Sequence, residues 1–361
     1  MFPRVKAFLW NDSAHRLRLP WRLIALVVLL AVLGLLTSLV VTALATRPSR
    51  AFLALTQSQS AEQTAVAIRN LLFVSTQIVV IVGGVYLAGR FADRRWFRDF
   101  GFRVDRSWWA DLGFGLALGG ALMTVIFTVE LLAGWISIRD VFYVARSGFD
   151  FWPWFFWGLL TFVAVGVYEE LLFRGYLVTN LSEGFTWFDR IGTRGAIALA
   201  VLVTSVLFGV AHATNPNATP ASTVGIVLAA VMLAAGYILT GELAIPIGLH
   251  TTWNFFQGVV YGFPVSGTSN GVSLIATTQS GPRLLTGGAF GPEAGLLGLA
   301  ASVVGLVLTV GWIQWREGTI RLAESLVVPH LRVSSDEWLP LTAAHRSRDP
   351  DAADSSYPTA K

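Results

Sequence analysis

Two adjacent glutamates, Glu169 and Glu170, lie inside a long apolar run and are followed by Arg174. Carboxylates at bilayer depth cost about 2.5 to 3.5 kcal/mol each on insertion scales, so membrane segments seldom hold them for packing alone. Glu170 and Arg174 are four residues apart, the spacing at which side chains meet on a helix. An intramembrane ion pair therefore explains these two residues. It leaves Glu169 without a partner, which indicates a functional carboxylate.

Two isolated histidines lie on later apolar runs. His212 ends one run, with Phe208 one turn before it, and His250 lies in another, with Asn254 one turn after it. A lone histidine at a helix end is usually an interfacial or capping residue. In combination with the glutamate pair, these side chains supply what amide hydrolysis needs. A carboxylate can accept a proton from water, imidazole can share it, and amide or imidazole N–H groups can stabilise an oxyanion.

A bound zinc is the alternative reading of the same residues. Glu169, His212 and His250 form a set of two histidines and one carboxylate with an open coordination position. The helix-borne HExxH pattern is absent. The sequence therefore leaves both possibilities open, a zinc cofactor or none.

The composition is that of a membrane protein. The 361 residues are 54% hydrophobic and 13% charged, with a mean hydropathy of +0.61, whereas soluble domains are about 25% charged. The absence of cysteine excludes disulfides, thiolate nucleophiles and cysteine metal sites. The net charge of +4 comes from arginines scattered between apolar runs, a pattern that sets membrane orientation and does not indicate a nucleic-acid partner.

Eight apolar runs are long enough to span a bilayer as helices of about 20 residues. They lie near 22–45, 70–90, 111–137, 154–179, 195–213, 221–240, 243–262 and 293–315. The first run is longer than a signal-peptide core, so we expect an uncleaved helix. Arginine and lysine are richest in alternate links, which places both termini in the cytoplasm. We therefore predict an all-α, polytopic bundle in the cell membrane.

The chain divides into four regions on this reading. Residues 1–137 hold three membrane helices, 153–262 the polar core, 263–315 an exterior loop and the last helix, and 316–361 a cytoplasmic tail. The tail is expected to form a short surface helix over 316–332 and to be disordered from about 334. The Gly-, Ser- and Thr-rich link before the last helix fits either a lid or a plain connector.

The polar residues resemble three motifs of a known family. Glu169-Glu170-x-x-x-Arg174, Phe208-x-x-x-His212 and His250-x-x-x-Asn254 occur in that order on successive apolar runs. This arrangement is similar to that of the CAAX prenyl proteases of type 2 and the bacteriocin-processing enzymes, the CPBP or Abi family. The similarity covers roughly 153–262.

The resemblance implies an intramembrane endopeptidase acting on a peptide or membrane-protein substrate. Glu169 would activate water, assisted by His212. The oxyanion would be stabilised by His250 and Asn254, and Glu170 and Arg174 would support the site. Family members have been described both as metalloproteases and as metal-independent glutamate proteases.

Two rival functions use the same residues differently. A transporter or channel would use the Glu/Arg cluster as a relay, although inverted repeats are absent and the polar cluster lies in one half only. A catalytically inactive, protease-like binding protein would keep the motifs without cleaving. Straight-helix counting places Glu169 and His250 at similar depth but His212 nearer the outer face, so a common site requires tilt or a later helix start.

Overall fold

The computed structural model describes residues 8–12, 14–46, 59–188 and 190–332. Within them, the α-helices are α1 (Leu19–Thr46), α2 (Gln59–Leu87), α3 (Arg106–Leu132), α4 (Phe151–Glu170), α5 (Thr179–Phe185), α6 (Gly192–Ala211), α7 (Pro220–Thr240), α8 (Ala244–Phe255), α9 (Arg283–Thr286) and α10 (Leu296–Glu317). The strands are β1 (Trp10–Asn11), β2 (Arg16–Leu17), β3 (Ile136–Val144) and β4 (Val272–Gln279). The predicted helical membrane bundle is confirmed.

Seven helical segments of the described chain, not eight, are long and apolar enough to cross a membrane. The predicted run near 243–262 is the exception. It forms α8, which has 12 residues, and continues as a π-helical segment, Phe256–Val260. Nearly all of α8 is buried, because other helices surround it and lipid does not. The cytoplasmic location of the termini stays a prediction, and the part of the tail from about 334 lies outside the described residues.

Glycines let α3 and α8 pack backbone against backbone. A Cβ atom at Gly119 would lie 2.4 Å from the Leu249 carbonyl oxygen, and one at Gly248 would lie 2.5 Å from the Leu112 carbonyl oxygen. Thr252 adds a hydrogen bond from its hydroxyl to the Leu116 carbonyl at 2.8 Å. This close approach, which small residues permit between membrane helices, fixes the position of the helix that carries His250.

The link between α8 and α10 is ordered and carries a strand. β4 pairs antiparallel with β3, from Ile136 opposite Gln279 to Val144 opposite Val272. Neither alternative, lid or plain connector, included this two-stranded sheet, because its strands come from links far apart in the sequence. The segment 261–268, which precedes β4, turns back toward the helices.

The expected surface helix over 316–332 is wrong. α10 ends at Glu317, where Gly318 adopts a left-handed φ of 71°, a common helix terminator. The chain then returns to the bundle. The Ala323 amide donates to the Ile238 carbonyl at 2.8 Å, and Leu326 is buried in a short 3₁₀ turn.

A buried ionic cluster joins the N-terminal segment to the rest of the bundle. Arg16, Arg22 and Arg95 all donate to the Glu183 carboxylate, and Arg22 also pairs with Asp93 at 3.1 Å. Burial lowers the pKa of Arg16 to about 10, with Glu183 opposing that shift. This cluster could not be predicted from the sequence, since its members lie in five separate elements and links.

π-helical segments follow two of the three helices that carry the motif residues, α4 and α8. Leu171–Val178 begins directly after Glu170, and Phe256–Val260 begins two residues after Asn254. Such wide turns in α-helices are rare and are often found at functional sites. Arg174 lies inside the first of them, so the turn sets the direction of its side chain relative to Glu170.

We expect Gly119→Ala to destabilise the protein by about 1–3 kcal/mol, because the new methyl group would force α3 and α8 apart. Gly113→Ala is the matched control on the same helix, since open space surrounds that position. It should be neutral or stabilising by up to about 1 kcal/mol. Thermal unfolding of both purified variants in detergent measures the difference, and equal stabilities would contradict the packing argument.

Candidate active site

A cavity of about 150 Å³ lies at the centre of the bundle. Residues of α4, α6, α7 and α8 line it, together with the links that follow α6 and α8. Its polar lining consists of Glu169, His212, Asn215, His250, Asn254, Ser266, Thr268 and Glu293. The four residues predicted to be catalytic therefore share one cavity, although straight-helix counting had placed His212 at a different depth.

Glu170 is the polar centre beneath this cavity. Its side chain is 0% exposed, and its Oε1 atom accepts from Arg174 Nη1 at 2.9 Å and from His250 Nδ1 at 2.8 Å. The ion pair expected from the four-residue spacing is confirmed. The contact with His250 was not foreseen, and it connects α4 to α8. One carboxylate oxygen thus holds the guanidinium and the imidazole together.

Arg174 extends the network to two further helices. Its Nη2 donates to the Ala230 carbonyl on α7 at 3.0 Å, and its guanidinium carbon lies 4.7 Å from the ring centroid of Phe208 on α6. A buried cation needs both a counter-charge and hydrogen-bond acceptors, and α4 and α7 supply them. A cation–π contact with α6 adds to the stabilisation.

Glu169 differs from Glu170 in access and in partners. Its side chain is 20% exposed and lines the cavity, and its Oε2 lies 3.9 Å from His250 Nε2. That distance is too long for a hydrogen bond. Within the described structure, Glu169 Oε2 is buried and has no hydrogen-bond partner. Glu170 Oε2 also has no partner, so access to the cavity is what distinguishes Glu169 as a group that could bind water.

Partner chemistry fixes the tautomers of both imidazoles. His212 Nδ1 lies 2.8 Å from the Phe208 carbonyl oxygen, which can only accept, so Nδ1 carries the proton. His250 Nδ1 likewise donates to the Glu170 carboxylate. In each neutral ring, Nε2 is therefore the unprotonated nitrogen. Neutral His250 cannot donate from Nε2, and it becomes an oxyanion donor at that atom only as an imidazolium.

A zinc site requires at least three donor side chains that converge on one point. Among the described residues, no three His, Asp or Glu side chains converge closely enough to hold a metal ion. Glu169, His212 and His250 line one cavity without forming such a set. We therefore derive no catalytic step through a metal.

Glu293 is a site residue that the sequence analysis missed. Its buried carboxylate accepts from the Ser266 backbone and hydroxyl and from the Gln257 amide. Gln257 also donates to the Pro264 carbonyl at 2.6 Å. These bonds hold the segment 261–268 over the cavity. The only signal in the sequence was one acidic residue at the start of the last apolar run.

The fold and the site together define a multi-pass membrane protein with an acid–imidazole centre buried between its helices. Residues 151–256 match the model of the family described as Type II CAAX prenyl endopeptidase Rce1-like. This domain runs from α4 to the start of the π-helical segment Phe256–Val260 and contains all seven motif residues. The resemblance is thus confirmed for this part of the chain, and it supports a CAAX-type intramembrane peptidase. Comparisons with curated proteins and with solved structures gave no match.

Burial raises the pKa of Glu293 to about 7, against the hydrogen bonds that favour its charged form. Between its unfolded pKa, about 4.5, and about 7, the folded protein binds more protons than the unfolded chain. The free energy of unfolding should therefore fall as pH rises through this window. Thermal unfolding from about pH 5 to about pH 8 should show a shallower pH dependence in Glu293→Gln than in the wild type. An identical pH dependence of the unfolding temperature in the two proteins would contradict the raised pKa of Glu293.

Exchanging the two partners tests the Glu293–Gln257 contact. Glu293→Gln alone replaces one carboxylate oxygen by an NH₂ group, which must then face either the Gln257 side-chain N–H or the Ser266 backbone N–H. We expect a loss of about 1–3 kcal/mol. The double variant Gln257→Glu/Glu293→Gln restores a carboxylate opposite an amide but loses the donation from Gln257 to the Pro264 carbonyl, so it should recover only part of that loss. A double variant that is as unstable as the sum of its single variants would show that the contact is unimportant.

Proposed function

We propose that this protein is an intramembrane endopeptidase in which Glu169 activates the attacking water. One observation supports this most directly. A buried carboxylate oxygen without a hydrogen-bond partner faces a cavity, 3.9 Å from an imidazole nitrogen that Glu170 and Arg174 hold in place. A single water can bridge polar atoms at that separation.

In the first step, the water oxygen bonds to the carbonyl carbon of the substrate, and Glu169 takes a water proton. The carbonyl electron pair moves to oxygen and forms a tetrahedral oxyanion. His212 assists through its unprotonated Nε2, which can share the proton with Glu169. Both groups line the same small cavity, so the bond-forming and proton-accepting atoms share one location.

Asn254 and His250 stabilise the oxyanion in this proposal. The Asn254 amide lines the cavity one turn after His250, so both side chains point to the same side of α8. His250 can donate from Nε2 only when both ring nitrogens carry protons, so in this proposal it acts as an imidazolium whose Nδ1–H group donates to Glu170. Fixed donors in a water-poor cavity stabilise developing negative charge more than water does. The C–N bond then breaks, and the leaving amine recovers the proton held by Glu169 and His212.

The substrate in this proposal is a peptide bond within or beside the membrane. The family description points to a prenylated CAAX protein as the substrate class.

Glu169→Gln should abolish cleavage while leaving folding and membrane insertion intact, since the amide keeps the shape but cannot accept the water proton. The measurement is a comparison of membrane and secreted peptides between cells that express the wild type and cells that express the variant. Glu130→Gln is the matched control, because Glu130 is a buried glutamate of α3 that contacts Gln279 and does not line the cavity. Undiminished proteolysis by Glu169→Gln would refute the proposed role.

Asn254→Ala should lower kcat by about 10²–10³-fold with little change in KM, as removal of an oxyanion donor does. Kinetics on any peptide identified above provide the test. An increase in KM at unchanged kcat would instead assign Asn254 to substrate binding.

A further inference from the structure

A tight turn, 265–268, forms part of the wall of the catalytic cavity, the cavity that Glu169 lines. Its two ends pair through the backbone. The Val265 amide donates to the Thr268 carbonyl at 2.8 Å, and the Thr268 amide donates to the Val265 carbonyl at 2.9 Å. The central residues, Ser266 and Gly267, have φ angles of 46° and 83°. Positive φ at both central positions is the geometry of a type I′ turn.

Serine is an unexpected residue at the first central position of this turn. Asn, Asp and Gly are preferred there, because a left-handed φ brings the Cβ atom of an L-residue close to the following carbonyl oxygen. Gly267 meets a separate demand, since a Cβ atom there would collide with the Pro216 carbonyl oxygen. At position 266, by contrast, a side chain is kept where glycine would relax the backbone. Strained residues persist where their surroundings fix them, and they cluster at functional sites.

Two other parts of the chain hold the turn in place. From the link after α6, the Asn215 side-chain amide donates to the Ser266 carbonyl at 3.0 Å. From the segment before α10, the Phe290 carbonyl accepts from the Gly267 amide at 2.7 Å, and the Glu293 carboxylate accepts from the Ser266 amide. Both backbone polar groups of Ser266 are paired in this way. The position of its side chain in the cavity wall is therefore set before a substrate binds.

The Ser266 hydroxyl can change its partner at little cost. Its Oγ lies 3.3 Å from Glu293 Oε1, which also accepts from the Ser266 amide. Glu293 Oε2 accepts from the Gln257 side chain. Both carboxylate oxygens therefore keep a donor when the hydroxyl rotates toward another acceptor. The hydroxyl is thus available as a hydrogen-bond donor in the catalytic cavity.

The reaction proposed above has a use for such a donor. Glu169 and His212 act on the water, and His250 and Asn254 act on the oxyanion, so these residues serve the chemical step. All four line the same cavity as Ser266. The main chain of a peptide substrate also carries carbonyl groups on either side of the scissile bond. A fixed donor that binds one of them aligns the peptide with the attacking water.

We propose that Ser266 is a substrate-binding residue, whose hydroxyl donates to a main-chain carbonyl of the bound peptide beside the scissile bond. This inference rests on the proposed peptidase function. Every peptide has main-chain carbonyls, so the contact contributes affinity and register and does not select one side chain. Because the same bond forms with the substrate and in the transition state, its loss should raise KM and leave kcat nearly unchanged.

The test compares Ser266→Ala and Ser266→Gly with the wild type. The probe is a synthetic peptide copied from the cleavage site that distinguishes wild-type cells from Glu169→Gln cells. Both variants should raise KM by about 3–10-fold, the range for one neutral hydrogen bond, with kcat within about twofold of the wild-type value. In Ser266→Gly, relief of the left-handed strain offsets the greater entropy of glycine in the unfolded chain. Its unfolding temperature should therefore stay within about 2 °C of the wild-type value.

Asn217→Gly is the matched control. Asn217 also has a left-handed φ, of 60°, and it is an exposed residue of the neighbouring link that does not line the catalytic cavity. This variant should keep the wild-type KM. A wild-type KM in both Ser266 variants, or an equal rise of KM in Asn217→Gly, would overturn the proposal. A lowered unfolding temperature at unchanged KM would confine the Ser266 hydroxyl to supporting Glu293, which also overturns it.

Protection of a thiol measures binding without turnover. The chain has no cysteine, so Ser266→Cys or Asn217→Cys introduces a single reactive side chain. Each is made in the Glu169→Gln background and treated with a charged methanethiosulfonate reagent. The same peptide, at ten times its Kd, should slow modification at position 266 about tenfold and leave the rate at position 217 unchanged. Equal rates at position 266 with and without the peptide would count against the contact.

Failure of this contact and failure of the peptidase mechanism give different results. Undiminished cleavage by Glu169→Gln would remove the mechanism, and the role of Ser266 with it. Loss of cleavage in Glu169→Gln, together with a wild-type KM in Ser266→Ala and Ser266→Gly, would remove the Ser266 contact alone.

Discussion

The arrangement of the site depends on one carboxylate oxygen, Glu170 Oε1, which accepts from both Arg174 and His250. If Arg174 or His250 were missing, the remaining members of this network would lose a partner inside the bilayer, where unpaired polar groups are costly. Together they connect α4 to α8, and Arg174 adds α6 and α7 through Phe208 and Ala230. The buried acid is thus structural, and its stabilisation orients the imidazole that faces the second acid. The two neighbouring glutamates differ in their surroundings because one faces the helices and the other faces the cavity.

Apolar packing gives this network its precision. α8 is short and almost wholly buried, and glycines on both sides bring its backbone against α3. Lipid exerts little hydrophobic force between helices, so close packing and hydrogen bonds must hold such a helix in place. On the other side, the Glu293–Gln257–Ser266 bonds hold the segment 261–268 over the cavity. The site is therefore supported by close backbone contact on one side and by a polar cluster on the other.

Much of this could be predicted from sequence because the signals were local. Apolar runs and the four-residue spacings of the motifs predicted the helices, the Glu170–Arg174 pair and the residues that share the cavity. The contacts that required distant partners could not be predicted. The Glu170–His250 bond, the β3–β4 sheet and the Glu293 bonds each join segments separated by many residues, and a single sequence carries no signal for such pairs. The prediction that 243–262 spans the membrane was wrong, because a buried helix such as α8 and a membrane-spanning helix have the same apolar composition.

The π-helical segment Leu171–Val178 has a consequence for how relatives of this chain are compared with it. A π turn is equivalent to one extra residue inserted into an α-helix. Deleting one residue there would restore a regular helix and rotate everything before it by about 100° relative to everything after it. The Glu170–Arg174 pair would survive, because side chains three or four residues apart meet on a regular helix, but the turn that carries the two glutamates would change its orientation relative to the helices that follow Val178. A single alignment gap in this stretch, which ordinarily counts as a minor difference, would therefore mark a change in how the glutamates face His250.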